Sequence, residues 1–208
     1  MKEISDILQV EKLIDGIELV VFDLDDTLYS EKEYVRSGFH KIAEAFHMPG
    51  LEAELWEAFS KGQKAIDVVF KSRGMLDRKN EALSIYRNQK PAIHLYDGVR
   101  EMLTRIKQRG KLLGLLTDGR PEGQRAKIEA LEIGGLFEEI IITDELGGVE
   151  CRKPNEMGFV RMHERTGVPY EKMAYVGDNI NKDFVAPEKL GMKEIHFCNK
   201  DGLYVKMQ

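Results

Sequence analysis

The hydrophobic positions along the chain follow two alternating periods. The stretch 19–22 is a continuous apolar run, which is typical of a parallel strand buried on both faces. Further strands are predicted at 111–116, 139–142, 173–176 and 193–198. Segments with helical spacing lie between them, at 97–110, 121–131, 155–166 and 184–190. This alternation predicts right-handed βαβ units and an α/β fold with a parallel sheet.

Residues 31–90 differ from the rest of the chain because they contain no strand-like run. Helical spacing predicts helices at 31–47, 51–61, 64–73 and 77–90. The sequence therefore predicts two domains. Residues 1–30 and 91–208 form a core domain, and residues 31–90 form an inserted helical domain whose apolar faces make its own core.

Two further elements are predicted near the edges of this pattern. Residues 4–14 place apolar side chains on one helical face, which predicts a short amphipathic helix that packs on the core. A partner-binding helix is the alternative. Asp97 is a candidate N-cap for the helix that follows it. Residues 199–208 receive no assignment.

Composition narrows the class of protein. The chain has 208 residues, 32% of them charged, and a net charge of −5, so it lacks the basic surface expected of a nucleic-acid-binding protein. No apolar run approaches the ~20 residues of a membrane span. The first residues carry acids and lack a signal-peptide core, and the two cysteines form no metal or redox motif. We expect a cytoplasmic protein, monomeric or homodimeric, with no nucleic-acid or membrane partner.

Carboxylates gather where the first strand ends, at Asp23, Asp25 and Asp26. Two like charges ~4 Å apart repel by roughly 4 kcal/mol at an effective dielectric constant of ~20, so such a cluster needs a cation, a shared proton or hydrogen-bond donors. Asp26 is expected to be structural and to point away from Asp25. Taken alone, the stretch is also compatible with an ordinary acidic turn.

Polar residues follow the other strands in the same way. Thr117 ends the second strand, Lys153 comes after the third, and Asp178 ends the fourth with Asp183 behind it. Each residue alone is compatible with a turn, a cap or a surface position. The carboxyl ends of parallel strands share one edge of a sheet, however. Oxygen ligands there suit Mg²⁺, and a lysine and a threonine beside them suit an anionic oxygen. The combination predicts a site for a phosphoryl group.

Four motifs in order carry a resemblance to a known family: Asp23-Leu-Asp25-Asp-Thr27-Leu, Thr117 after its strand, Lys153-Pro154, and Gly177-Asp178-Asn-Ile-Asn-Lys-Asp183. The chain resembles the haloacid-dehalogenase-like (HAD) superfamily of hydrolases over nearly all of residues 17–198. This resemblance implies a Rossmann-like core with an inserted helical cap of the C1 type, which closes over the site and selects substrate.

The resemblance also implies roles for the reacting groups. Asp23 would be the nucleophile that forms an aspartyl-phosphate. Asp25 would be the general acid and then the base that activates water. Thr117 would bind the transferring phosphoryl group, and Lys153 would neutralise charge between Asp23 and the phosphate.

A Mg²⁺ site is implied in the same way. Its ligands would be Asp23, the backbone carbonyl of Asp25, and Asp178, and Asp183 would act through water or orient a ligand.

One position departs from the family pattern, because Asp118 stands where relatives often have asparagine. An extra acid would repel a phosphate unless it is turned away or paired, with Arg120 or Arg125 as candidate partners. Asp118 and Arg120 are retained as candidate substrate-binding residues, and Arg152 is a further candidate for an anionic substrate.

The function favoured by these features is a Mg²⁺-dependent phosphatase. It would hydrolyse a small phosphorylated metabolite, a phosphate monoester such as a sugar phosphate, through an aspartyl-phosphate. A phosphomutase with the same motifs is one alternative. A haloacid dehalogenase is another, although it needs neither Mg²⁺ nor an acid at position 25. A non-catalytic binding protein on the same scaffold is the third.

Overall fold

The structure is a computed structural model that describes residues 1–203. Residues 204–208, the end of the tail that the sequence leaves unassigned, lie outside the described residues. The chain divides into two compact units. One contains residues 1–31 and the described residues from 94 onward, and the other contains residues 32–93.

The first unit is built on a parallel six-stranded sheet. Its strands are β1 (Lys2–Ile4), β2 (Leu19–Phe22), β3 (Leu112–Thr117), β4 (Glu139–Ile142), β5 (Met173–Gly177) and β6 (Lys193–Phe197). Their order in the sheet is β1-β6-β5-β2-β3-β4, and every neighbouring pair is parallel. The predicted α/β fold with a parallel sheet is confirmed.

The helices of both units follow the chain order. The α-helices of residues 1–203 are α1 (Glu31–Phe46), α2 (Leu51–Ser60), α3 (Ala65–Ser72), α4 (Lys79–Arg87), α5 (Val99–Gln108), α6 (Pro121–Ala130), α7 (Met157–Thr166) and α8 (Val185–Leu190). Short 3-10 helices lie at Ile7–Lys12, Leu76–Arg78, Gly134–Leu136, Thr143–Leu146, Val149–Cys151 and Tyr170–Lys172. No helix among the described residues combines the length and apolar character needed to cross a bilayer.

The predicted helix at 4–14 is wrong. Ile4 belongs to β1, where it pairs with Phe197 of β6, and a 3-10 helix follows. Ile7 and Val10 are buried three residues apart, which fits the period of a 3-10 helix. These residues do pack on the core, as expected.

The predicted N-cap at Asp97 is also wrong. Helix α5 begins one residue later, and Gly98 takes the capping position at φ 78°. Glycine reaches this left-handed conformation without the steric penalty that a side chain would meet.

The register of the central strands determines where their carboxyl ends lie. Phe22 of β2 is aligned with Leu115 of β3 and with Val176 of β5. The residues that follow these three positions therefore emerge at the same edge of the sheet. One face of the sheet packs on a buried apolar cluster that includes Phe159 and Met162 of α7. This packing supports the strands that end at this edge.

The second unit consists of helices, and aromatic side chains pack between them. The rings of Phe46 and Phe70 meet edge to face with their centres 5.2 Å apart. Tyr34 and Tyr86 are in a similar arrangement at 5.7 Å. Such pairs add specific geometry to apolar burial, so the unit has apolar contacts of its own.

Candidate active site

Asp23 lies directly beyond β2 and is buried, with 3% of its surface exposed. Its backbone N–H donates to the carbonyl of Val176 at 2.9 Å, which extends the pairing of β2 with β5 by one residue. Burial is the main cause that raises the pKa of the Asp23 carboxyl, to about 6, and nearby Asp183 acts in the same direction while Lys153 opposes both. The sheet thus fixes this carboxylate rigidly at its edge.

Lys153 joins two of the predicted carboxylates. Its Nζ lies 2.8 Å from Asp23 Oδ1 and 2.9 Å from Asp183 Oδ1, and the lysine side chain is fully buried. The same Nζ donates to the Tyr175 hydroxyl at 2.8 Å. Burial acts to lower the pKa of Lys153, but Asp183 and Asp23 outweigh it and hold the pKa well above its usual value. The ammonium is therefore a permanent cation beside Asp23.

Asp178 completes a cluster of carboxylates with Asp23 and Asp183. One oxygen from each lies within 4.8 Å of the others. Burial, together with the charges of Asp23 and Asp183, raises the pKa of Asp178 to about 9. Three crowded carboxylates with only oxygen donors fit a hard divalent cation such as Mg²⁺, since a cation relieves the repulsion that raises this pKa.

Asp183 also shapes the loop between β5 and α8. Its Oδ2 accepts the backbone N–H of Asn179 at 2.9 Å. Gly177 permits this approach, because a Cβ there would overlap Asp183 Oδ2 and lie 2.9 Å from its Cγ. Asp183 thus has two contacts that position other groups, one with the loop and one with Lys153.

Asp25 is held by donors on two segments of the chain. Lys127 Nζ lies 2.7 Å from Oδ1 and 3.0 Å from Oδ2, and Gln124 Nε2 donates to Oδ2 at 3.0 Å. The Tyr29 hydroxyl donates to Oδ1. Burial would raise the pKa of Asp25, but Lys127 and these hydrogen bonds outweigh burial and lower it. In this arrangement the carboxylate form is favoured.

Thr117 is fully buried at the end of β3. Its Oγ1 accepts a hydrogen bond from Gln124, the residue that also contacts Asp25. Helix α6 starts at Pro121 and places Gln124 and Lys127 three residues apart on one face. Residues 117 to 127 therefore deliver three polar side chains to the neighbourhood of Asp25.

Asp118 does not pair with Arg120 or Arg125. Its Oδ2 lies 3.1 Å from Lys182 Nζ. Its Oδ1 accepts the Thr143 hydroxyl at 2.9 Å and the backbone N–H of Lys153 at 3.0 Å. Burial acts to raise the pKa of Asp118, but Lys153, Lys182 and the hydrogen bonds lower it. The extra acid is thus paired, and it supports the backbone that carries Lys153.

The predicted arginines have partners at the surface. Arg120 is 40% exposed and lies 3.9 Å from Glu122, and Arg125 contacts Glu145. Arg152 makes two hydrogen bonds with Asp144, at 2.6 and 2.7 Å. The structure does not bring Arg120 into the carboxylate cluster.

Asp26 has the structural role expected from its sequence position. It takes a left-handed conformation at φ 54° and is buried. Its Oδ1 accepts the N–H of Glu31 at the start of α1, at 2.9 Å, and its Oδ2 accepts the N–H of Leu203 at 2.7 Å.

Sequence reasoning missed the side chains that surround the predicted residues: Tyr29, Gln124, Lys127, Tyr175 and Lys182. A signal exists for one pair. Gln124 and Lys127 lie on the same helix face as the apolar Ile128, and all three are buried. Polar residues at positions where the helical period predicts buried side chains indicate that this face packs against a polar site. The others gave no such signal, since they meet their partners only through the fold.

A model of the haloacid dehalogenase-like hydrolase family matches residues 20–197. The chain belongs to this family. It is 30% identical to the glyceraldehyde 3-phosphate phosphatase of Methanocaldococcus jannaschii, in an alignment that covers 92% of this chain and 89% of the relative. This family member is therefore an enzyme of the hydrolase class.

Solved structures of other family members share the fold. A HAD-superfamily hydrolase of Geobacter sulfurreducens matches with a TM-score of 0.72 and 18% identity, over 89% of each chain. A HAD hydrolase of Bacillus subtilis bound to magnesium matches with a TM-score of 0.64 and 18% identity, over 86% of this chain and 85% of the other.

Proposed function

We propose that this family member is a Mg²⁺-dependent phosphatase of small phosphate monoesters. The observation that carries the proposal is the buried contact of Asp23 with Lys153 beside Asp178 and Asp183. A carboxylate nucleophile attacking a phosphate dianion must overcome charge repulsion. A buried ammonium 2.8 Å from the attacking group provides the required neutralisation, and phosphoryl transfer depends mainly on such positioning and charge.

Asp23 is assigned the nucleophilic step. An Asp23 oxygen forms a bond to phosphorus while the bond between phosphorus and the ester oxygen breaks, and the electron pair leaves with that oxygen. Lys153 holds Asp23 in place and faces the developing charge. Thr117 is assigned to the phosphoryl oxygens, with its hydroxyl oriented by Gln124.

Asp25 is assigned the proton transfers. Lys127 favours the carboxylate in the free site, and the negative charge of the bound phosphate ester acts in the opposite direction, towards protonated Asp25. The protonated acid donates to the leaving oxygen, which departs as an alcohol. The resulting carboxylate is the form that Lys127 and Gln124 hold. It accepts a proton from the water that attacks the aspartyl-phosphate, so Asp25 regains the proton that it donates in the next turnover. Phosphate leaves and Asp23 is regenerated.

Asp23, Asp178 and the backbone carbonyl of Asp25 are the groups that would hold Mg²⁺, with Asp183 behind them. When bound, the ion supplies electrostatic stabilisation of the phosphoryl oxygens and of the carboxylate cluster. Asp183 orients the loop through the Asn179 N–H, which sets the position of Asp178.

The substrate class proposed is a small sugar phosphate, with glyceraldehyde 3-phosphate as the first candidate. The support is the 30% identical relative, which the chain matches over most of its length. The helical unit of residues 32–93 is assigned the role of a cap that selects among phosphate esters, as the resemblance implies.

The test is release of inorganic phosphate from a panel containing glyceraldehyde 3-phosphate, hexose phosphates, phosphoserine, nucleotides and an aryl phosphate. Each substrate is assayed with Mg²⁺, with a chelator, and with the Asp23→Asn variant. We expect Mg²⁺-dependent release that Asp23→Asn abolishes, with the highest kcat/KM for a sugar phosphate.

The matched control is Asp15→Asn, which changes an 88% exposed carboxylate and should leave activity intact. Release that survives the chelator or Asp23→Asn would contradict the assigned site. Phosphate transfer to a second sugar hydroxyl without net release would identify a phosphomutase instead.

A further inference from the structure

A second group of metal-ligating side chains lies away from the carboxylate cluster, on β1 and β6. Glu3 and His196 are register partners in these parallel strands. Cys198 lies two positions after His196, so its side chain points to the same side. Ligand atoms from Glu3, His196 and Cys198 come within 4.8 Å of one another. The local backbone pairing thus brings a carboxylate, an imidazole and a thiol together.

One ring nitrogen of His196 makes a hydrogen bond with the backbone, and the other faces Glu3 and Cys198. Its Nε2 lies 3.0 Å from the carbonyl oxygen of Asp178. A carbonyl can only accept, so Nε2 carries the proton and Nδ1 of the neutral ring offers its lone pair. The residue is buried, with 4% of its surface exposed. Metal-binding histidines are commonly oriented by such a bond from the second ring nitrogen to a backbone carbonyl.

One distance in this group matches an edge of a zinc tetrahedron, and a second is about 0.4 Å longer than such an edge. Zinc bonds of about 2.1 Å to nitrogen and about 2.3 Å to sulfur at a tetrahedral angle place the two ligand atoms about 3.6 Å apart. Cys198 Sγ and His196 Nδ1 are 3.6 Å apart. Glu3 Oε1 lies 3.8 Å from the same nitrogen, against about 3.4 Å for a nitrogen–oxygen edge. The Glu3 side chain is 66% exposed, so a small rotation closes this difference.

We propose that Glu3, His196 and Cys198 form a binding site for Zn²⁺, with water as the fourth ligand. The donor set differs from the oxygen-only carboxylate cluster, because thiolate and imidazole select zinc-like ions over Mg²⁺. On binding, the Cys198 thiol releases its proton to solvent and the sulfur donates an electron pair to the metal, with no change in oxidation state. The His196 bond to the Asp178 carbonyl places this site one hydrogen bond from the backbone of the carboxylate cluster.

The test is titration of the intact protein with Co²⁺, a spectroscopic substitute for Zn²⁺, in excess Mg²⁺ that occupies the carboxylate cluster. We expect a thiolate-to-cobalt charge-transfer band that saturates at one equivalent and is abolished by added Zn²⁺. Cys198→Ser should remove the band. Glu3→Gln, at an exposed position that does not endanger folding, should weaken Zn²⁺ binding at least about tenfold, since loss of even a supporting group costs that much.

The matched control is Cys151→Ser, which removes the other free thiol and should leave the band unchanged. The proposal is overturned if the unmodified protein shows no band, if the band persists in Cys198→Ser, or if Glu3→Gln binds Zn²⁺ as tightly as the unmodified protein. The readout is metal binding, so it stands apart from the proposed phosphatase activity, and failure of either leaves the other intact.

Discussion

Lys127 makes the closest charged contact with Asp25, at 2.7 Å, and its side chain is 6% exposed. We expect Lys127→Met to leave Asp25 without its main orienting partner. Activity on an alkyl phosphate should fall by roughly 10²–10⁴-fold, the usual contribution of a positioned acid or base. Activity on an aryl phosphate should fall less, because a good leaving group needs little protonation. The measurement is kcat/KM on both substrates, which reports phosphoryl transfer to Asp23 and excludes the later hydrolysis of the aspartyl-phosphate, a step that both substrates share.

The control for this prediction is Lys189→Met, which removes a 70% exposed lysine paired with Glu156 and should change neither rate. An equal loss of kcat/KM on alkyl and aryl phosphates in Lys127→Met would contradict a role in placing Asp25 as the acid and would indicate general damage to the site.

We expect Asp178 to make the stability of the metal-free protein depend on pH. Its folded-state pKa of about 9 exceeds the ordinary value of 3.8, so between these values the folded protein binds more protons than the unfolded chain. The free energy of unfolding of the metal-free protein should therefore fall as pH rises through this window. Asp23, with a pKa of about 6, acts in the same direction at lower pH.

Mg²⁺ should oppose this loss, since a ligand that binds the folded state stabilises it. The measurement is thermal unfolding with and without Mg²⁺ at about pH 6 and about pH 8, and the stabilisation by Mg²⁺ should be larger at the higher pH because fewer protons compete. Asp178→Asn should abolish most of the difference between the two pH values in the stabilisation that Mg²⁺ provides. An apo protein that becomes more stable at the higher pH would contradict the raised pKa.

The proposed site lies at the carboxyl ends of the strands. Alanine substitutions at two strand glycines, Gly177 and Gly114, test how tightly the side chains around them pack. A Cβ on Gly177 of β5 would overlap the carboxylate of Asp183, a buried group engaged with Lys153. A Cβ on Gly114 of β3 would lie 2.9 Å from the end of the flexible Met162 side chain and 3.3 Å from Val21 Cγ2. We expect Gly177→Ala to lower kcat at least about tenfold by displacing Asp183, a shift that costs alignment of the reacting groups.

Gly114→Ala serves as the control, and we expect a modest loss of thermal stability with kcat preserved, because a methionine side chain can rearrange. Equal kcat values for the two variants would show that Asp183 tolerates displacement.

Elements with strong local signals were predictable from the sequence. The strand-like segments located β2, β3, β4, β5 and β6 to within one residue, and the signal is clearest in β2 and β5, which are buried along their whole length. Strand β1 was missed, since Lys2–Ile4 is a three-residue edge strand and its apolar residue also fits a helical pattern. The assignment of β1 as a strand therefore depends on its pairing with β6, which no local sequence pattern reveals.

Site residues divide in the same way. Asp23, Thr117 and Asp178 could be proposed from the sequence because each lies at the end of an apolar strand, and parallel topology places such ends at one edge of the sheet. The partner of Asp118 was not found, because Lys182 lies 64 positions away and reaches it only through the β5–α8 loop. Gln124 and Lys127 were passed over, since polar residues in a helix are usually solvated.

At the scale of the whole molecule, the proposed catalytic residues all belong to the first unit. That unit contains every strand of the sheet. Its two chain segments meet beside the insertion, since Tyr29 and Leu95 form an antiparallel bridge and Tyr96 N donates to the Leu28 carbonyl at 3.0 Å. Residues 32–93 can therefore be replaced by a short glycine-serine linker without stretching the chain.

We expect the protein lacking residues 32–93 to fold cooperatively, because the sheet and its core remain whole. It should retain Mg²⁺-dependent hydrolysis of an aryl phosphate, whereas its preference among sugar phosphates should largely disappear, since selection is assigned to the removed unit. The measurements are thermal unfolding and kcat/KM over the substrate panel, with Asp23→Asn in the shortened protein as the control for the chemistry. If the shortened protein folds and keeps its full preference among sugar phosphates, substrate selection belongs to the first unit. If it folds but hydrolyses no ester, the helical unit supplies part of the catalytic apparatus.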